Sequence, residues 1–79
     1  MRNPESLIAF SQQLRSLRRK HKLSQQVLAD KAGIEKKTLQ NIEMNRHNPT
    51  LDILFSIALG FEITLQELLD FDYPTTKKY

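Results

Sequence analysis

The segment LSQQVLADKAGI, residues 23–34, contains the most specific structural signals in the sequence. Ser24 is a residue type that commonly caps a helix N-terminus, and Gly33 is the type expected just past a helix end. Between them lies an apolar stripe at helical spacing, formed by Val27, Leu28 and Ala32. These signals predict a very short helix that ends in a tight turn.

A second helix is predicted directly after that turn, from near Glu35 to Met44. Leu39 and Ile42 are spaced to face inward, whereas the outward positions are polar. The small side chain of Ala29 would let two helices cross closely. Two short helices joined by a tight turn have the geometry of a helix-turn-helix.

Three further helices are predicted from the same kinds of signal. The first is expected to begin at Pro4, because apolar residues recur after it at three- and four-residue steps. Thr50 and Thr64 are suitable N-caps for the other two helices. The three helices are expected to end at about His21, Phe61 and Asp72. No strand-like alternation or repeat occurs in the sequence, so we predict an all-α, compact five-helix bundle.

Length and composition restrict the class of protein. Seventy-nine residues allow one compact domain, which we place at residues 1–72, with a flexible tail at residues 73–79. The absence of cysteine excludes a disulfide framework and a thiolate zinc site, and it suits a cytoplasmic protein. No apolar run approaches the roughly 20 residues needed to cross a bilayer, and the first residues lack the apolar core of a signal peptide. No membrane location is therefore expected.

Charge is distributed unevenly along the chain. Residues 1–50 contain ten Lys or Arg against four acidic residues, a net charge of +6, whereas residues 51–79 contain two Lys against five acidic residues, a net charge of −3. A basic half suits a polyanionic partner. An ordinary solvated surface would explain the same asymmetry equally well.

Three ordered segments closely resemble the phage-repressor and Cro-like (Xre-type) helix-turn-helix family. They are LSQQVLADKAGI at 23–34, TLQNIE at 38–43 and NPTL at 48–51, and the resemblance extends from about Phe10 to Leu69. It implies a lambda-repressor-like fold that binds DNA. Three positions where the family usually has glycine differ, so these helix ends could close differently: Lys22, Asn45 and Glu62.

The resemblance assigns base contacts to the N-terminal, outward face of the second helix of the motif. A helix in the major groove presents those side chains to base edges, where Lys suits guanine and Asn or Gln suits adenine. Glu35 could accept from cytosine N4 or merely cap the helix. For every one of these residues the alternative is a solvated helix face. The candidate base-reading residues are Glu35, Lys36, Lys37, Gln40 and Asn41.

Phosphate contacts are expected on both sides of this helix. Gln25 resembles the family's phosphate-touching glutamine, and the N-terminal amides of a helix readily meet a phosphate. Arg46 is the firmest candidate, since it lies in the polar loop after the helix, while a local turn role is equally plausible for His47. The candidate phosphate contacts are Gln25, Gln26, Thr38, Asn45, Arg46, His47 and Asn48.

Two basic features of the first helix are expected to be structural. In the resembling family an ion pair ties the first helix to the end of the DNA-reading helix, and here it would join Arg18 to Glu43. The other basic residues are expected to form a solvated face that adds diffuse attraction to DNA. They are Arg15, Arg19, Lys20 and Lys22.

The helix after Thr50 indicates a protein partner. Its apolar residues spread over about 240° of arc, against the roughly 100° that one core face requires. The helix after Thr64 adds further apolar surface, and the surplus predicts a two-fold dimer interface. Enclosure of the fourth helix by its neighbours is the alternative. The candidate interface residues are Phe55, Leu59, Ile63, Leu69 and Phe71.

Taken together, the resemblance implies a transcriptional repressor or autoregulator that binds a pseudo-palindromic double-stranded DNA operator as a homodimer and blocks or recruits RNA polymerase. A controller protein of a restriction-modification system would have this size and build. The alternative is the antitoxin of a toxin-antitoxin module, in which a C-terminal surface also neutralises a toxin. An enzyme, a cofactor and a metal site are not expected, since no nucleophile elbow, phosphate-binding loop or metal-ligand spacing occurs.

Overall fold

The computed structural model describes residues 4–72, and within that range the chain forms five helices and no strand. The predicted all-α, five-helix architecture is therefore confirmed. The predicted tail at 73–79 lies outside the described residues. The helices are α1 (Pro4–Lys20), α2 (Gln25–Ala32), α3 (Lys36–Glu43), α4 (Leu51–Phe61) and α5 (Leu65–Leu68).

Three helices begin at hydroxyl side chains that satisfy otherwise unpaired backbone N–H groups. Ser24 Oγ accepts from the N–H of Val27 at 3.1 Å, and Thr50 Oγ1 accepts from the N–H of Ile53 at 3.2 Å. The start of α5 is a reciprocal capping box. Thr64 Oγ1 accepts from the N–H of Glu67, and Glu67 Oε1 accepts from the N–H of Thr64, both at 3.0 Å. The three N-caps predicted from sequence are confirmed.

Four helix ends close in the left-handed backbone conformation. Gly33 has φ 71°, as expected after α2. Lys22 and Asn45 have φ 57° and Glu62 has φ 61°. The three helix ends that lack glycine therefore adopt the same left-handed conformation that glycine favours. The suggestion that they close differently is wrong. The fold instead accepts a cost of about 1–2 kcal/mol at Lys22 and at Glu62.

The core contains side chains from all five helices. Leu39 and Ile42 of α3 are buried in it, as their spacing predicts. Ala29 is fully buried and lies in the helix that packs against both α3 and α4. The buried apolar residues are Phe10, Leu14, Leu28, Ala29, Leu39, Ile42, Ile57, Ala58, Phe61 and Leu68.

The C-terminal end of the described chain differs from the prediction. α5 stops at Leu68 rather than at about Asp72, and α1 stops one residue before His21. After α5 the backbone turns, and the ring of Phe71 lies 6.0 Å from the ring of Phe10 on α1. The turn places Phe71 against the core. The apolar spacing that predicted a longer helix therefore does not require the chain to stay helical.

Candidate nucleic-acid interface

The outward face of α3 presents four polar side chains. Successive helical residues are about 100° apart, so Lys36, Lys37, Gln40 and Asn41 share the arc opposite the inward Leu39–Ile42 side. Lys36 and Lys37 are exposed, and Gln40 and Asn41 are half-buried. The arrangement offers ammonium and amide groups along one side of a two-turn helix, which are the groups that hydrogen-bond base edges in a major groove.

Two other candidates lie at the margins of this face. Glu35 is the N-cap of α3, with an exposed side chain and an extended backbone, but its carboxylate makes no capping hydrogen bond. Glu35 therefore occupies the capping position that sequence left open for it, but its side chain does not cap the helix. Thr38 is half-buried and lies on the flank of α3 toward Ile42.

A buried carboxylate anchors the C-terminal end of α3. Glu43 is 2% exposed, and its Oε2 lies 2.7 Å from Nε of Arg18 on α1. Its Oε1 accepts from Arg18 Nη2 at 3.1 Å, so the guanidinium meets the carboxylate with two parallel hydrogen bonds. Arg18 Nη1 also donates to the carbonyl of Leu23 at 3.1 Å, just before α2. One side chain thus joins α1, the entry to α2 and the end of α3.

Arg15 also belongs to this anchor. Its Nη1 donates to the backbone carbonyl of Glu43, an acceptor at the C-terminal end of α3 that has no partner within the helix. The expectation that Arg15 forms part of a solvated face is wrong, because it is half-buried against α3. Arg19, Lys20 and Lys22 are exposed, as expected.

The same carboxylate is linked to α2 through Gln25. Gln25 Nε2 donates to Glu43 Oε1 at 3.0 Å, and Gln25 Oε1 accepts from Gln40 Nε2 at 3.2 Å. Residues separated by 15 and 18 positions in sequence are thus joined in one chain of hydrogen bonds. Sequence spacing carries no signal for such pairs, because only the folded arrangement of α2 and α3 brings them together. Within residues 4–72, no buried side-chain nitrogen or oxygen is without a partner.

The remaining candidate phosphate contacts lie at two exposed places. Gln26 is exposed in the first turn of α2, where its Nε2 donates to Asp30 Oδ1 at 2.9 Å. The loop after α3 begins at Asn45, and the backbone N–H of Arg46 donates to the carbonyl of Asn41 at 2.7 Å. That bond holds the loop against the end of α3. The exposed residues of this loop are Asn45, Arg46, His47 and Asn48.

The candidate dimer residues lie in α4, in the turn before α5 and in the segment that follows α5. Phe55 is 50% exposed and Leu59 is 74% exposed, and the two residues are one helical turn apart, so they form one apolar patch. An apolar groove of about 510 Å³ lies beside them, lined in part by Ile63 and Leu65. Two of the predicted residues, Ile63 and Phe71, are partly buried against the core.

The remaining candidate dimer residue is exposed, and so is one apolar residue of α4 outside the predicted set. Leu69 is 37% exposed at the end of α5. Leu51, at 60% exposure, is a further exposed apolar residue of α4 that the predicted set omits. The surplus apolar surface of α4 is thus real in the isolated chain, because α2 and α5 cover only part of the helix.

Among residues 4–72, no three side chains of His, Cys, Asp or Glu are grouped as metal ligands would be. No helix in that range is both long and apolar enough to cross a membrane.

Comparison with known proteins places this arrangement among DNA-binding domains. A helix-turn-helix family model matches residues 14–68. An HTH-type transcriptional regulator of Archaeoglobus fulgidus is 32% identical over 59 residues, which cover 75% of this chain and 84% of that protein. The immunity repressor protein of Bacillus phage phi105 is 36% identical over 59 residues, which cover 72% of this chain but 41% of the repressor. The chain therefore matches less than half of the phage protein.

Solved structures give the same result at the level of the backbone. The restriction-modification controller protein C.AhdI from Aeromonas hydrophila superimposes with a TM-score of 0.75 at 32% identity, over 78% of this chain and 94% of that one. The N-terminal DNA-binding domain of SinR from Bacillus subtilis superimposes with a TM-score of 0.69 at 31% identity, over 77% of this chain and 90% of that one. Both similarities extend over almost the whole of the compared domain.

Proposed function

Because this chain belongs to the helix-turn-helix family of phage-repressor and Cro-like regulators, we propose that it is a repressor or autoregulator of transcription that binds a pseudo-palindromic DNA operator as a homodimer. The outward face of α3 carries this proposal. Four of its side chains can donate to or accept from base edges, while the opposite face of the same helix is fixed in the core. Such a rigid support is what recognition of a base sequence requires. The role needs no chemistry on the DNA.

In this proposal, residues 1–72 form the DNA-binding domain, which acts in the cytoplasm. α3 lies in the major groove, and its reading residues are Glu35, Lys36, Lys37, Gln40 and Asn41. The flanking phosphates are held by the exposed loop after α3, by the start of α2 and by Thr38 on the flank of α3. These contacts set the position of α3 on the duplex, and they are assigned to Gln25, Gln26, Thr38, Asn45, Arg46, His47 and Asn48.

The proposed dimer uses the apolar groove of α4 and α5. Phe55 and Leu59 of one copy would enter the groove of the other, so each copy both supplies and receives the same side chains, as a two-fold axis requires. The proposed interface consists of Phe55, Leu59, Ile63, Leu69 and Phe71. Two copies of α3 would then meet one face of the duplex at half-sites about 10 to 10.5 base pairs apart, or a multiple of that spacing.

Selection of bound duplexes from a random DNA pool tests this function. The purified protein should enrich a palindromic consensus whose half-sites follow the helical repeat of B-DNA. The matched control is the double variant Lys37→Ala/Asn41→Ala, which removes two outward side chains of α3 and leaves its core face intact. That variant should lose the consensus. A pool that stays random with the unaltered protein would contradict sequence-specific binding, and a consensus without two-fold symmetry would contradict the dimer.

A further inference from the structure

We propose that the apolar groove of α4 and α5 joins two copies of this chain against electrostatic repulsion, so that self-association strengthens as the salt concentration rises, whereas DNA binding weakens. The inference rests on the proposed function and deepens it, because it states how the dimer responds to ionic strength. It starts from the charges along the groove. Residues 51–72, which contain α4 and α5, include five acidic residues and no Lys, Arg or His.

Two carboxylates of α4 lie along its exposed apolar residues. Asp52 is one helical turn from Phe55 and two turns from Leu59, so the three residues share one side of the helix. Glu62 is the C-cap of α4 and lies in sequence between Leu59 and Ile63, which both line the groove. The side chains of Asp52 and Glu62 are exposed. One carboxylate thus lies toward each end of the apolar surface of α4.

Two further carboxylates lie beside the groove at α5. Glu67 Oε1 accepts from the backbone N–H of Thr64 at 3.0 Å, and Thr64 lines the groove. Asp70 follows Leu69, an exposed residue of the proposed interface, and both carboxylates are exposed. Asp72, the fifth acidic residue, lines a different groove against α1. The apolar groove of α4 and α5 therefore has four carboxylates at its edges.

Little positive charge offsets these four carboxylates. Within residues 4–72, the one that forms an ion pair is Glu62, whose Oε2 lies 3.7 Å from Nζ of Lys31. The two side chains are 82% and 45% exposed, so water screens their attraction. One ammonium and four carboxylates give the edges of the groove a net charge of −3 in each copy. The whole chain has a net charge of +3, so the proposed interface differs in sign from the rest of the protein.

A two-fold axis brings these edges against each other. In such an interface the same surface of both copies meets, so the negative edges of one groove face the negative edges of the other. Exposed charges interact over about 10 Å at 0.1 M salt but over only about 3 Å at 1 M salt. Burial of Phe55 and Leu59 is not screened in this way. Added salt therefore reduces the repulsion and leaves the apolar attraction, whereas it weakens contacts with DNA phosphate.

Sedimentation equilibrium of the full chain without DNA tests the inference. Between about 50 mM and about 500 mM KCl, the dissociation constant of the dimer should fall by about 3- to 10-fold. Asp52→Asn/Asp70→Asn removes two carboxylates at the groove and should lower the constant at low salt by about 3-fold. The matched control is Glu5→Gln/Asp30→Asn, which removes two exposed carboxylates outside α4 and α5 and should not tighten the dimer. Both variants raise the net charge from +3 to +5, so they differ only in where the negative charge is lost.

The outcomes separate this inference from the function on which it rests. A dimer whose dissociation constant rises with salt would mean that the acidic groove meets the basic half of another copy, and a constant that does not change would mean that no net repulsion exists. Either result overturns the inference, as does tightening of both double variants or of neither. A parent protein that is monomeric at every salt concentration overturns the proposed dimer as well. The salt response of the unaltered protein keeps the test decisive if a variant fails to fold, and the base preference found by DNA selection is measured independently.

Discussion

Gly60 of α4 lies directly against Ala32, the last residue of α2. A Cβ added at residue 60 would lie 3.1 Å from both the Cβ and the backbone nitrogen of Ala32, closer than ordinary van der Waals contact. The contact brings α4 against the end of α2, just before the turn at Gly33 that leads into α3. The position of α3, the proposed DNA-reading helix, therefore depends on a glycine in a different helix.

A larger residue at this contact should destabilise the fold. Gly60→Val would force α2 and α4 apart, and overpacking of this kind costs about 1–3 kcal/mol. Urea unfolding followed by circular dichroism measures the loss. Gln12→Val introduces the same residue at an exposed position of α1 and should change the free energy of unfolding by less than about 1 kcal/mol. A loss for Gly60→Val no larger than that for the exposed control would contradict the close contact with Ala32, because valine has a higher helix propensity than glycine.

The ion pair between Arg18 and Glu43 should contribute far more than an exposed pair. Arg18→Met leaves a buried carboxylate without its cation, and loss of one partner of a buried pair costs about 3–5 kcal/mol. The matched control is Lys31→Met, since Lys31 pairs with Glu62 at 3.7 Å and the two side chains are 45% and 82% exposed. That change should cost less than about 1 kcal/mol. Thermal unfolding compares the two, and similar losses would contradict the structural role of Arg18.

The capping box of α5 gives a pH-dependent prediction. Hydrogen bonds from the backbone and the hydroxyl of Thr64 lower the pKa of Glu67 below its ordinary value of 4.5. A lowered pKa means that the cap stabilises the fold above about pH 4.5 and loses its effect as the pH falls through the pKa of the folded state. In an NMR titration, Thr64→Ala should raise the pKa of Glu67 toward 4.5. Thr50→Ala removes the comparable cap of α4 and should leave the pKa of Glu67 unchanged.

Residues that hold phosphate and residues that contact bases should differ in their response to DNA sequence. Arg46→Ala should weaken binding to the operator and to scrambled DNA by the same factor and should reduce the salt slope by about one unit, because phosphate charge is the same at every base pair. Asn41→Ala should cost about 1–3 kcal/mol on the operator and much less on scrambled DNA, with no change of salt slope. Affinities measured across a salt series compare them. The reverse pattern would place α3 outside the major groove.

The proposed dimer predicts the mass of the protein in solution and a substitution that reduces it to the mass of one chain. Light scattering at micromolar concentration should give about twice the 9.2 kDa of one chain. Leu59→Asp places a charge in the apolar groove of α4 and α5 and should yield a monomer, and Leu69→Asp should do the same. Ile8→Asp alters an apolar residue of α1 that is 44% exposed, and it should leave the mass unchanged. A monomeric parent protein would contradict the interface.

Local signals in the sequence predicted the helix starts but not all helix ends. Ser24, Thr50 and Thr64 could be recognised because a capping hydroxyl acts on backbone three residues away. The end of α5 could not, because Leu69 and Phe71 continue a helical apolar spacing whether the chain stays helical or turns back to the core. Only contact with Phe10 of α1 decides between the two.

Only part of the candidate nucleic-acid interface could be predicted from the sequence. The outward positions of α3 follow from helical periodicity, so Lys36, Lys37, Gln40 and Asn41 could be listed from sequence. The partners of Gln25 could not, because they depend on how closely α2 and α3 approach. Arg15 was missed for the same reason, since one helical face of α1 looks solvated until α3 is placed against it.

The left-handed residues that end α1 and α4 have a consequence for how this protein can change. Lys22 and Glu62 hold a backbone conformation that glycine adopts without strain, so a single substitution to glycine at either position removes strain without repacking the core. Neither residue is buried, and neither belongs to the face of α3. Stability can therefore be gained at these two helix ends without altering the proposed recognition surface on α3. A substitution on α3 that alters base preference and weakens the fold can be offset by glycine at either of these two helix ends. A change of specificity therefore need not leave the protein less stable.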